Sequence, residues 1–178
     1  MIIIITGASH TGKTILAQKM MEKYKYPYLS IDLLKMGLIR SQNTSLTPED
    51  DKVLTDYLWP IVREIIKTAI ENKQNLIVEG CYIPFDWRKD FDNTYITYIS
   101  FICIAFTENY VNKYFHDIIT HRSDIESRID NFCDKEAIIS DNNYYSDGFK
   151  QYGEKILIVD DNYDKTIQEY INKDILLA

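Results

Sequence analysis

The chain has 178 residues and a formal net charge of -7. That length suits one globular domain with a core of its own, and the acidic balance argues against a nucleic-acid coat or a partner of anionic membrane. Cys81, Cys103 and Cys133 are far apart with no CxxC pair, which argues against a disulfide frame or zinc site and for a reducing compartment. The opening apolar run is too short for a signal h-region or a membrane span, so a soluble cytoplasmic protein is expected.

In chain order, Ile2 to Ile5 is a run of β-branched residues that reads as a buried strand. It breaks into Gly7-Ala8-Ser9-His10-Thr11-Gly12-Lys13-Thr14, the complete P-loop pattern G-x-x-x-x-G-K-[ST]. The glycines let the backbone curl until its N–H groups converge on a phosphate chain, and the following helix adds its positive end. Lys13 is expected to reach the β and γ phosphates of ATP, and Thr14 to give its hydroxyl to Mg²⁺. Ala8, Ser9, His10 and Thr11 contribute mainly backbone N–H groups, with the His10 side chain toward solvent. Ile15 to Lys23 has helical apolar spacing, so the motif sits in the strand, loop, helix context it requires.

Tyr26 to Ile31 reads as a second strand ending at Asp32, and Leu33 to Ile39 continues as a helix. A carboxylate at the end of a parallel strand stands at the sheet edge where ligands bind. Asp32 is therefore a candidate to orient or deprotonate an acceptor hydroxyl, with helix capping as the competing role. The chain uses fifteen lysines and five arginines, so each arginine merits inspection as a bidentate fork. Arg40, about two helical turns beyond Asp32, either clamps an anionic group on the acceptor or rests near a helix C-terminus. Thr47-Pro48-Glu49-Asp50 starts a long helix to about Lys73, with a kink expected at Pro60. Arg63 falls amid its solvated charge.

Asn75 to Glu79 is an apolar strand ending in an acid, the Walker B pattern, which assigns Glu79 to a water on the Mg²⁺ ion. Gly80 to Pro84 is expected to wrap the acceptor pocket. Trp87 and Arg88 offer it an aromatic wall and a cation, or Trp87 packs in the core. Tyr95 to Phe106 reads as the fourth strand, and Thr107 caps a helix to about Ile119. The densest charge cluster, Thr120 to Asp130, holds Arg122 and Arg128. They either fold over the phosphates as a lid or form i,i+4 pairs on a solvated helix. Asp134 to Tyr152 is helical and stops at Gly153, Lys155 to Val159 is the fifth strand, and a last helix runs from Lys165 to about Lys173. Strands alternating with helices imply one parallel sheet covered on both faces.

Taken together, the P-loop, Asp32 after the second strand, Glu79 ending the third and the arginines after the fourth resemble the small-molecule P-loop kinases. That group includes the nucleoside monophosphate, shikimate and gluconate kinases, chloramphenicol phosphotransferase and 2-phosphoglycerate kinase. The resemblance implies a three-layer α/β/α P-loop NTPase fold, a five-stranded parallel sheet of order 2-3-1-4-5, and one kinase domain over residues 1–178. It also implies an acceptor-binding region at about 32–73, a lid at about 119–131, adenine held near that lid and the loop after strand five, and ATP with Mg²⁺. Lys13, Asp32, Arg122 and Arg128 then form the catalytic set, and Asp32, Arg40, Glu79, Gly80 and Arg88 the acceptor side. The Asp-Gly-Phe-Pro-Arg signature of adenylate kinases is replaced by Glu79-Gly80-Cys-Tyr-Ile-Pro84, and no guanine-specifying Asn-Lys-x-Asp occurs. The expected activity is γ-phosphoryl transfer to a hydroxyl or phosphate of a small anionic metabolite, by a monomer or homodimer without nucleic-acid or membrane partners. A nucleoside monophosphate kinase and a non-catalytic ATP-dependent switch are the alternatives.

Overall fold

The structure, a computed structural model, describes residues 1–121 and 134–173. Ile2–Thr6 forms β1 because four consecutive β-branched side chains favour extended backbone and can be buried on both faces only inside a parallel sheet. The pleat sends Ile2 and Ile4 into one core cluster and Ile3 and Ile5 into the other, and all four are fully buried. Each such burial stabilises by roughly 1.5–3 kcal/mol. With β2 (Tyr28–Ser30), β3 (Leu76–Glu79), β4 (Ile99–Phe106) and β5 (Ile156–Val159), β1 makes a five-stranded sheet of order β2-β3-β1-β4-β5. Every neighbouring pair is parallel. This is the expected order. The register sets Ile5 and Ser30 beside Glu79, and Thr6 beside Cys103, so the ends of β1, β2 and β3 open at one edge.

Helices cover both faces. α1 (Lys13–Tyr24), α5 (Glu108–His121) and α7 (Tyr163–Asn172) pack Leu16, Met20, Val111 and Ile167 against Ile3 and Ile5. On the other face, α2 (Ile31–Arg40), α3 (Asp51–Glu71) and α6 (Lys135–Gln151) bring Ile31, Leu54, Leu58, Ile66 and Phe149 against Ile2, Ile4 and Phe101.

Several boundaries differ from the sequence reading for local reasons. α3 begins at Asp51, not Thr47, because the Thr47 amide and hydroxyl both donate to the Asp50 carboxylate, at 2.8 and 2.9 Å, closing residues 47–50 as a turn. The same helix continues through Pro60. Pro60 and Asp56, whose carbonyl loses its partner there, are both exposed, so water can satisfy that carbonyl. The fourth strand starts at Ile99 because Asp92 accepts from the Thr94 amide at 2.8 Å and winds Asn93–Ile96 into α4. At the end of α6, Gly153 has φ 77°. Glu154 N donates to Phe149 O at 3.1 Å and Gly153 N to Lys150 O at 3.0 Å, the paired bonds of a Schellman stop.

A Cβ at Gly153 would meet nothing within 4 Å, so a substitution there strains only the backbone. Gly153→Ala is expected to cost about 1 kcal/mol, read as a lower urea midpoint with an unchanged slope. An unshifted midpoint would show that the left-handed stop carries no weight.

Candidate active site

The loop after β1 is shaped by two close approaches. Gly7 has φ 137°, and a Cβ there would lie 2.2 Å from the Ile104 carbonyl oxygen of β4. Gly12 has φ 77°, and its Cβ would lie 2.4 Å from the Tyr163 hydroxyl and 2.6 Å from that ring. Between them, Ala8 and Thr11 are fully buried, and the Thr11 hydroxyl donates to the Ala8 carbonyl at 2.8 Å. The Tyr163 hydroxyl donates to the Gly12 carbonyl at 2.7 Å, fastening the loop to the first residue of α7. His10 also takes positive φ, at 66°.

α1 then starts at Lys13 with no side-chain cap and no acid in its first turn. Its partial positive charge is thus directed to the loop's concave side, the arrangement that binds anions. Lys13 is 5 % exposed, and its Nζ donates to the Ala8 carbonyl at 2.7 Å. The Thr14 hydroxyl donates to Glu79 Oε2 at 3.4 Å, and the Tyr28 hydroxyl donates to the same oxygen at 2.9 Å. Glu79 is buried at the end of β3. The Thr14 and Glu79 oxygens suit a hard cation that keeps several waters and phosphate oxygens as its remaining ligands.

Asp32 stands one residue inside α2. Ser30 takes the capping role, accepting from the Leu33 amide at 3.3 Å, which leaves the Asp32 carboxylate to pair with Lys35 Nζ at 2.7 Å. That ammonium also donates to the Tyr82 hydroxyl at 2.8 Å, which donates in turn to Asp51 at 3.1 Å. An Asp32, Lys35, Tyr82, Asp51 chain therefore links the starts of α2 and α3 to the segment after β3. Burial, then the charges of Asp32 and Asp51, push the Tyr82 phenol far above its ordinary pKa and keep it a neutral donor. Tyr145 of α6 closes this side, its hydroxyl donating to the Cys81 carbonyl at 3.2 Å.

The Cys81 thiol records how these groups converge. Its pKa is raised chiefly by burial; Lys13 opposes the shift, and Asp32 and Glu79 add to it.

The other sequence candidates lie elsewhere. Arg88 gives Glu154 a bidentate pair at 2.5 and 2.9 Å and stacks over Trp87, with the cation 4.7 Å from the ring centroid. Trp87 is fully buried and stacked on Phe101, so it is core and not a pocket wall. Arg40 is exposed in the last turn of α2, and Arg63 pairs with Glu64 and Asp90. Arg122 and Arg128 lie outside the described residues. A depression of about 950 Å³ lined by Pro27, Pro60, Ile61 and Leu76 opens beside the starts of β2 and β3, away from the P-loop. Tyr28, Lys35, Tyr82 and Tyr163 escape a sequence reading, because each is joined to its partner by a turn or helix packing that no motif marks. The skew toward tyrosine, with 14 in the chain, was the available hint.

Gly12→Ala is expected to lower affinity for a non-hydrolysable ATP analogue at least about tenfold, since both the φ and the Tyr163 ring oppose it. Tyr163→Phe keeps the ring and removes only the bond to Gly12, so a loss of about two- to tenfold is expected. Isothermal titration of both variants checks this ordering; equal losses would contradict it.

No family model matches the sequence, and no curated protein matches it. Solved structures do. Deoxyadenosine kinase from M. mycoides with bound dATP is 18% identical with a TM-score of 0.59, covering 100% of both chains. A gluconokinase from Sinorhizobium meliloti is 14% identical with a TM-score of 0.55, covering 95% of this chain and 88% of that one. Shikimate kinase from Aquifex aeolicus is 13% identical with a TM-score of 0.51, covering 96% and 94%. With the observed strand order and the P-loop turn at Gly7–Thr14, these likenesses give the fold of this chain: it is that of the P-loop kinases.

Proposed function

We propose that the protein transfers the γ-phosphoryl group of ATP to a hydroxyl of a small molecule. The observation that carries this reading is the shared sheet edge, where Lys13 opens α1 beyond β1, Asp32 stands in the first turn of α2 beyond β2, and Glu79 ends β3 with its carboxylate on the Thr14 hydroxyl. A phosphate binder alone requires the first and third of these; a carboxylate on the acceptor side is what a transfer reaction adds. The kinase fold of the neighbouring structures supports the same reading.

In this reading the backbone amides of Gly7 to Thr14 hold the phosphate chain. Lys13 turns its ammonium from the Ala8 carbonyl to the β and γ phosphate oxygens. Asp32 accepts a hydrogen bond from the acceptor hydroxyl and aligns its lone pair with the γ-phosphorus. As the new oxygen–phosphorus bond forms, the bond from that phosphorus to the β–γ bridging oxygen breaks. ADP departs with the electron pair, and the hydroxyl proton passes to Asp32. Thr14 and Glu79 would hold Mg²⁺, the first directly and the second through a bound water, with Tyr28 steadying Glu79. When bound, that ion spreads the negative charge that builds between the β and γ phosphates. Arg122 and Arg128 are assigned to a lid on the resemblance to the small-molecule P-loop kinases, and residues 32–73 to the acceptor side of a single kinase domain.

Lys13→Ala is expected to abolish acceptor-dependent ATP consumption while the cooperative melt remains; full turnover in that variant would exclude the proposal. Asp32→Asn should lower kcat by about 10²–10⁴ with a much smaller change in the KM for ATP. A steady-state assay over both substrates separates the two effects.

A further inference from the structure

The walls of the cleft bear on what kind of acceptor it takes. An anionic acceptor needs spare positive charge, and among the described residues Arg40 and Arg88 are the sequence candidates to supply it. The Arg88 fork is occupied by Glu154, whose side chain is only 3% exposed. Arg40 is eight residues beyond Asp32 in the same helix, about 12 Å along its axis at 1.5 Å per residue. Lys35 does stand in the wall, with a side chain 12% exposed, but its charge is matched by Asp32 at 2.7 Å. Its ammonium is further held by the Tyr82 hydroxyl and lies 4.9 Å from that ring's centroid.

Among the described residues, the next charged group along this wall is an acid. Asp51 is already within hydrogen-bond distance of Tyr82, and its field also acts on Asp141 of α6. Burial, then the Asp51 charge, raise the Asp141 pKa, as expected of two acids within reach of each other's field. A second and separate observation comes from the end of β1. Thr6 is fully buried, and its hydroxyl has no hydrogen-bond partner among the described residues. The pleat turns it to the same face as Ile2 and Ile4, beneath α2, α3 and α6. A buried hydroxyl without a partner is costly, and a hydroxyl or amine of a ligand, or a water carried with it, would satisfy it. Leu33, beside Asp32, and Tyr144, one turn after Asp141, are 70% and 60% exposed. Both present apolar surface to solvent, and Tyr144 is braced edge-on by Phe85, with ring centroids 5.1 Å apart.

We propose that the acceptor is an uncharged or cationic hydroxyl-bearing molecule with an apolar or aromatic portion, and that the carboxylates of this wall disfavour anionic acceptors. This rests on the phosphotransfer reading and replaces the anionic metabolite expected from the sequence. In it, the reacting hydroxyl meets Asp32, a donor on the acceptor body meets Asp51 or Asp141, and the apolar portion covers Leu33 and Tyr144.

The test uses matched pairs on the full chain: nucleosides against their 5′-monophosphates, and polyols and aminoglycosides against gluconate and shikimate. Binding is read by thermal shift with a non-hydrolysable ATP analogue present, and turnover by ADP release. Members without negative charge should be preferred at least about tenfold in kcat/KM, and should alone raise the melting temperature. Asp51→Asn combined with Asp141→Asn should shrink that preference severalfold. A preference for the anionic members, or a melting temperature raised by neither class, overturns the proposal. Affinity for the ATP analogue, measured separately on the wild type and Lys13→Ala, isolates a failure of the phosphotransfer reading: without Lys13-dependent nucleotide binding, that reading fails first.

Discussion

The site depends on how tightly the P-loop is pressed between two neighbours. Gly7 passes under the Ile104 carbonyl and Gly12 against the Tyr163 ring, with no room at either for a side chain. Both also take backbone angles that L side chains rarely adopt. The two glycines therefore do different work. The first lets β1 leave the sheet beside β4, and the second turns the chain into α1 while α7 holds its carbonyl. Because Ile104 belongs to the fourth strand and Tyr163 to the last described helix, the loop's curvature is built by residues about 90 to 160 positions further along the chain. An anion site made of backbone amides needs that support, since its groups have no rotamers with which to adjust.

The parallel sheet does the remaining positioning. Its register brings Ser30 and Ile5 alongside Glu79, so the starts of α1 and α2 and the segment after β3 issue from one edge. Lys13, Asp32 and Cys81 consequently approach one another although they are separated by most of the first half of the chain. Three tyrosines then stiffen the cleft. Tyr28 holds Glu79, Tyr82 joins Lys35 to Asp51, and Tyr145 braces the Cys81 carbonyl. A phenol suits this work because it combines a rigid apolar ring with one hydroxyl that can donate and accept. Burial keeps the Tyr82 and Tyr145 phenols neutral, so each adds direction without adding charge.

Charge is spent unevenly. Arg88, the cation nearest in sequence to the segment after β3, is committed to a buried acid and the face of Trp87. That pair ties the 3-10 turn at Trp87–Asp90 to the stop of α6 and contributes to the frame under the site. Beside Tyr82, among the described residues, stand the paired Asp32 and Lys35 and the carboxylate of Asp51. Among the described residues no helix is long and apolar enough to cross a membrane.

Much of this was legible in one dimension because it depends on short-range chemistry. The run Ile2 to Ile5 admits no environment but a sheet interior, Gly7 to Thr14 carries its own backbone requirements, and Gly153 marks a helix stop by its conformational freedom. The alternation of strand and helix implied the parallel sheet, and the resemblance its order. Other features depend on which side chains meet across elements, and these only the tertiary structure decided. Whether Trp87 lined a pocket or filled the core turned on Phe101 stacking over it, and whether Arg88 was available turned on Glu154, 66 residues away. Asp32 was free of capping duty because Ser30 had already met the Leu33 amide. A sequence determines which backbone conformations a segment can hold; the partner that claims a side chain is chosen only when distant segments pack.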